Sequence, residues 1–132
     1  MNDCQPRYNM TLNLDDNQAS YQIRSYQPGK IQINDKTLTE SVIISPDQLI
    51  ENWSPQTIDA LTAASLLPVL TLKPDILLIG TGRDLVFPPV ELYGDLINAG
   101  IGIEIMDTSA ACRTFQALSA ENRRVVAALI IR

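Results

Sequence analysis

Pro74-Asp75-Ile76-Leu77-Leu78-Ile79-Gly80-Thr81-Gly82 sets four consecutive aliphatic residues between a proline and a Gly-Thr-Gly turn. A run that short, bounded by chain breakers, predicts a strand buried on both faces rather than a helix. Ile101 to Arg113 answers it with another apolar strand, then Met106-Asp107-Thr108 and the opening of a helix. Between them, Leu92, Tyr93, Leu96 and Ile97 recur at helical spacing after Phe87-Pro88-Pro89, and Gly100 closes that helix. Asp107-Thr108-Ser109 caps a helix over Ala110 to Leu118, and Arg124 to Ile131 makes a final strand rich in Val and Ile. Strand alternating with helix predicts parallel pairing with crossovers.

Upstream the period changes to two. Met10, Leu12 and Leu14 alternate with polar residues before the Asp15-Asp16-Asn17 turn. Tyr21 and Ile23 continue the alternation, Pro28-Gly29 interrupts it, and Ile31 and Ile33 resume it up to Asn34-Asp35. This predicts antiparallel hairpins. Leu38 to Ser45, around Val42-Ile43-Ile44, reads as one strand entering deeper packing; Leu49, Ile50 and Trp53 read as a further short strand or an irregular crossing. A helix is expected within 55–67, begun by Ser54-Pro55 or Thr62 and ended or kinked by Pro68. Residues 1–9 read as a tail, and the whole chain, 1–132, as one domain. The fold class is α/β, mixed with α+β: three β/β/α layers, a parallel or mixed central sheet and an antiparallel, β-rich N-terminal part.

Composition narrows the function classes. The 132 residues are 45% hydrophobic and 19% charged, enough to bury roughly two-thirds of the unfolded surface without staples. Net charge is -5 and the only adjacent cations are Arg123-Arg124, so no nucleic-acid partner is expected. No stretch approaches the ~20 apolar residues of a membrane span, and the first residues lack a signal-peptide pattern, which makes the cytoplasm the expected location. Histidine is absent, which removes Ser-His and Cys-His nucleophile pairs and the commonest metal ligand. Cys4 and Cys112 form neither a zinc site nor a redox pair, and Cys112 reads as a small core residue. No metal and no cofactor is expected.

Chemistry has one conspicuous place. Gly80-Thr81-Gly82 invites a phosphate-loop reading, but the third glycine of the dinucleotide fingerprint would fall on Leu85, and Phe87-Pro88-Pro89 delays the helix. A tight turn leaving a buried strand fits better. Asp107, Thr108 and Ser109 suit a helix cap; they can also face Thr81 across a cleft at the carboxyl ends of parallel strands. Arg83, Arg113 and Thr114 are the residues able to line such a cleft and present a fork to a carboxylate or phosphate. Arg113 can instead pair with Asp107 or Glu121. The candidate site is therefore Gly80, Thr81, Gly82, Arg83, Asp107, Thr108, Arg113 and Thr114. Asn122, between the last helix and the last strand, suits a left-handed turn.

Gly29-Lys30-Ile31, Ser45-Pro46, Trp53, Leu77 to Gly82 and Met106-Asp107-Thr108 through Ala110 to Thr114 resemble the Mth-type domain family of unknown function. That family includes mitochondrial complex I assembly factor three and the adipogenesis-associated Mth domain protein. Leu118, Glu121, Arg123, Val125 and Ala127-Ala128-Leu129 extend the resemblance over most of residues 25–130. This chain has Thr114-Phe115-Gln116 where members often read Thr-Tyr-Asn, and Asn122 where glycine is common after the glutamate. The resemblance implies a three-layer fold with helices on one side, and no established enzymatic activity. It implies assembly or regulatory work through protein contacts, with a protein partner or a second copy. The rival expectation is an enzyme or sensor for an anion or metabolite in the cleft.

Overall fold

A computed structural model describes residues 18–132, so the strand expected at Met10 to Leu14, its turn, the tail and Cys4 lie outside the described residues. Strands β1 (Ile23–Gln27), β2 (Lys30–Ile33) and β3 (Lys36–Leu38) form an antiparallel sheet with turns at Pro28-Gly29 and Asn34-Asp35. Gly29 and Asn34 both take positive φ there, +93° and 52°. That conformation suits glycine and is tolerated by asparagine.

The second sheet has five strands in the order β5-β4-β8-β6-β7: β4 (Val42–Ile44), β5 (Leu49–Ile50), β6 (Ile76–Gly80), β7 (Gly102–Met106) and β8 (Val125–Leu129). β6 pairs in parallel with β7 on one side and β8 on the other, while β4 joins β8 and β5 antiparallel. The sheet is mixed and the domain is mixed α/β. The stretch Leu38 to Ser45 is not one strand. Thr39-Glu40-Ser41 carries the chain from one sheet to the other, and buried Ser41 holds the crossing: its N–H donates to Gln56 Oε1 (3.3 Å) and its carbonyl accepts from Trp53 N (2.8 Å).

Between β5 and β6 the expected helix over 55–67 is replaced by two single 3₁₀ turns, Ile58–Ala60 and Ala64–Leu66, and by helix α1 (Leu67–Leu72). Pro68 sits in the first turn of α1 and so begins a helix rather than ending one. The reason is local: the first helical N–H groups have no intrahelical acceptor, so proline sacrifices nothing there. Lys73, with φ 50°, closes α1 in the left-handed region. Trp53 is buried beneath this segment with its Nε1 donating to Ser65 O at 2.7 Å.

Strand alternation divides the apolar residues between the two faces of the central sheet. Leu78, Ala127 and Leu129 pack with Ile31 and Ile33 of the small sheet and with Cys112 and Phe115 of helix α3 (Thr108–Ala120). Leu77, Ile79, Ala128 and Ile130 pack with Trp53, Leu66, Val69 and Leu96 of helix α2 (Gly94–Asn98). Helices therefore lie on both faces, and the small sheet shares its layer with α3. Among the described residues no helix is long and apolar enough to cross a membrane.

Candidate functional site

β6 and β7 are parallel neighbours whose chains leave toward opposite faces, β6 toward α2 in one core and β7 toward α3 in the other. Open α/β sheets tend to bind ligands in a crevice at such a point. Gly80-Thr81-Gly82 and Met106-Asp107-Thr108 stand there facing each other. The structure sews them together. Thr81 N donates to Met106 O (2.9 Å), Thr108 N to Gly82 O (2.9 Å) and Gly82 N to Thr108 Oγ1 (2.8 Å).

The fully buried Thr108 hydroxyl donates in turn to Ile130 O at 2.6 Å, and Ile130 N donates to Gly80 O at 2.9 Å. One hydroxyl thus joins the ends of three strands. Glycine is required beside it, because a Cβ on Gly80 would come within 2.9 Å of both Thr108 Oγ1 and Leu129 Cδ2. Gly82 has φ +102° and equally little room, with Arg132 O at 2.8 Å from a Cβ. These glycines serve backbone packing. Thr81 Oγ1 donates to Asp84 O (2.6 Å) and accepts from Val86 N (3.3 Å), so it shapes the loop that follows.

Asp107 caps α3, its Oδ1 accepting from Ala110 N at 2.8 Å. Arg113 lies exposed one turn on, with Nη1 donating to Ser109 Oγ at 2.8 Å rather than to Asp107 or Glu121. Arg83 is exposed and Thr114 half-buried. Asn122 takes the left-handed turn, at φ 61°.

A residue that sequence reasoning passed over joins this end of the sheet. Tyr26 Oη donates to Ile131 O at 3.0 Å, and Gly29 N donates to the same carbonyl at 2.7 Å. The hairpin of the small sheet thereby clasps the chain just past β8. Burial pushes the Tyr26 phenol above its ordinary pKa; Cys112 and Asp107 act in the same direction, and Thr108 and Arg83 oppose them. The alternation that would have flagged Tyr26 is broken by a bulge between Ile23 and Ser25. A β-bulge shifts every later side chain by one position, so the period-two pattern gives no warning.

Cys112 is buried in the core, and burial pushes its thiol up to about 12. It is the least reactive form of the group. Among the described residues no three His, Cys, Asp or Glu side chains are grouped to hold a metal. Phe115 is fully buried, and its neighbour Gln116 accepts a hydrogen bond from Ile23 N at 2.8 Å, fastening α3 to β1.

Comparison with known proteins bears on this arrangement. The chain is 30% identical over 122 residues to a 13 kDa major membrane protein of Francisella tularensis, covering 92% of this chain and 99% of that one. It is 33% identical over 110 residues to the NADH dehydrogenase [ubiquinone] 1 alpha subcomplex assembly factor 3 of Danio rerio, covering 82% of this chain and 63% of the assembly factor. The chain thus spans less than two-thirds of that relative. A solution structure from Bordetella pertussis, a Mth938-like domain, superposes with a TM-score of 0.78 at 26% identity over 97% of this chain and 92% of that one. The model of the family "Protein of unknown function (DUF498/DUF598)" matches residues 23–130, and the chain belongs to that family.

Proposed function

We propose that this chain is a non-catalytic binding module for assembly or regulation, docking another protein at the carboxyl end of its central sheet. The observation that carries the reading is the loop after the rim. Leu85, Val86, Phe87 and Val90 stand 51%, 42%, 70% and 54% exposed in succession. Contiguous exposed apolar residues mark interaction sites, whereas scattered ones do not. The Thr81 hydroxyl bonds Asp84 O and Val86 N, and Pro88 is buried between Phe87 and Val90, so the loop is tied to the fold within its apolar stretch. A preorganised loop binds with less ordering cost. Arg83 beside it and Arg113 across the rim supply a polar margin, the usual surround of an apolar contact. The relative named as an assembly factor supports a protein rather than a metabolite as the occupant.

Phe87→Asp and Val90→Asp should abolish the complex recovered from native lysate while leaving the melting temperature within about a degree or two, as expected of exposed sites. Light scattering separates a second copy from a different protein. A cytoplasmic setting belongs to this reading; the name of the Francisella relative suggests a membrane-associated one, and fractionation of cells making the full chain distinguishes them.

The placement of the two turns favours one alternative: an anion or metabolite in the cleft between Gly80-Thr81-Gly82 and Met106-Asp107-Thr108, held by Arg83 or Arg113. It has less support, since the Thr81 hydroxyl is already bonded to Asp84 O and Val86 N, the Thr108 hydroxyl to Gly82 N and Ile130 O, and the facing backbones to each other. A metabolite at a hundred times its dissociation constant would stabilise the fold by ~2.7 kcal/mol. A metabolite-mixture thermal shift that Arg83→Ala or Arg113→Ala cancels would establish this reading; no shift would dismiss it.

A further inference from the structure

Four strands stand at sheet edges, β1 and β3 in the small sheet and β5 and β7 in the large one. β1 is fastened to α3, where Ile23 N donates to Gln116 Oε1 at 2.8 Å, while β3 has three residues and β5 two. β7 has five. Its pairing with β6 sets the direction of its backbone: Gly102 N donates to Asp75 O and Thr81 N to Met106 O, both at 2.9 Å, so Gly102, Glu104 and Met106 turn their peptide groups inward. The N–H and C=O of Ile103 and Ile105 therefore point out of the sheet, with no partner among the described residues. Such a row of open donors and acceptors is a template for an added strand.

The two faces of this edge differ. Ile103 and Ile105 lie half-buried on the α2 face, and α2, which packs against β7, carries Ile97 47% exposed. Glu104 alternates to the other face, exposed and without an ion pair among the described residues. An added strand thus sets every second side chain beside an apolar face and the others beside a carboxylate. The surroundings reinforce the sign. From Arg83 to Arg113 the chain carries Asp84, Glu91, Asp95, Glu104 and Asp107 with no lysine or arginine between, so this stretch alone holds a charge equal to the -5 of the whole molecule. A second copy would set that acidic surface against itself, and like charges across strands destabilise.

We propose that the β7 edge takes up an extended segment of another protein in which apolar and basic residues alternate. This rests on the docking reading and names the chemistry of its partner. The test is a titration of the isotope-labelled full chain with a short peptide alternating Lys and Val and, separately, with one alternating Glu and Val, followed by amide shifts and hydrogen exchange. The Lys-Val peptide should give saturable shifts along β7 and slow exchange at Ile103 and Ile105, while Glu104, already bonded inward, changes little. Glu104→Lys should weaken the Lys-Val peptide about tenfold and strengthen the Glu-Val peptide, because a favourable cross-strand pair becomes a repulsive one. No protection at Ile103 and Ile105, or equal binding of the two peptides, would overturn the proposal. Protection already present in the free chain would overturn it too: the occupant is a second copy if protection grows with protein concentration, and residues 1–17 if it does not. A complex from native lysate that Phe87→Asp abolishes and Glu104→Lys leaves intact would remove the edge from the account and spare the docking loop.

Discussion

At the scale of single residues, Thr108 does the most. Its hydroxyl bridges Gly82 N and Ile130 O inside the protein, so Thr108→Val, nearly the same shape, strands a donor and an acceptor together. We expect a loss of about 2–3 kcal/mol, in the upper part of the range for unsatisfied buried groups, measured by denaturant unfolding, with Thr108→Ser losing less. Cys112 gives a pH signature. Its thiol ionises near 9.0 in the ordinary state and at about 12 in the fold, where burial disfavours the thiolate and Arg113 only partly offsets it. Below pH 9 both states carry the proton and the shift contributes nothing. Above it the unfolded chain loses the proton first, so stability falls as pH rises, by up to about 1.4 kcal/mol per unit until the folded value is reached. Unfolding curves between pH 8 and pH 11 should show this slope reduced in Cys112→Ala.

At the scale of elements, α3 depends on its cap. Asp107→Ala should cost about 1 kcal/mol and Asp107→Asn much less, by thermal or urea melts, because asparagine still accepts from Ala110 N. A larger effect of Asp107→Asn would mean that the charge itself has work beyond capping. This cap, the buried strand β6, the strand around Ile103 and the turn at Asn122 were legible in the sequence, since each rests on local chemistry. Period, breaker and cap residue lie within a few positions of one another. The segment from Ser54 to Leu72 was not. Proline is compatible both with ending a helix and with beginning one, and only the burial of Trp53, Leu61, Leu66 and Val69 against the sheet chooses between them. Likewise Leu38 and Val42 read as one apolar strand, although they belong to two sheets; nothing local announces that Ser41 is the crossing point. The candidate rim was legible as a location, but its hydrogen bonding through Thr108 depends on Ile130, 22 residues away.

At the scale of the whole molecule, the two ends of the central sheet are built differently. The amino end of β6 and β8 carries a cavity whose flanking arginines are paired, Arg124 with Asp75 at 2.8 Å and Arg123 with Glu121 at 4.0 Å. The carboxyl end is closed by backbone and threonine bonds, and beyond that closure it displays Leu85, Val86, Phe87 and Val90. A rim that is rigid and apolar suits the docking of a protein surface, and its energy should reside in a few buried anchors such as Phe87. The most direct measurement places a photo-crosslinking amino acid at position 87 in the full chain, in cells, with position 123 at the other end as control. The account predicts a discrete protein adduct from position 87 that is lost when Val90→Asp is added, and none of that size from position 123. No adduct at position 87, or the same adduct from both ends, would contradict it.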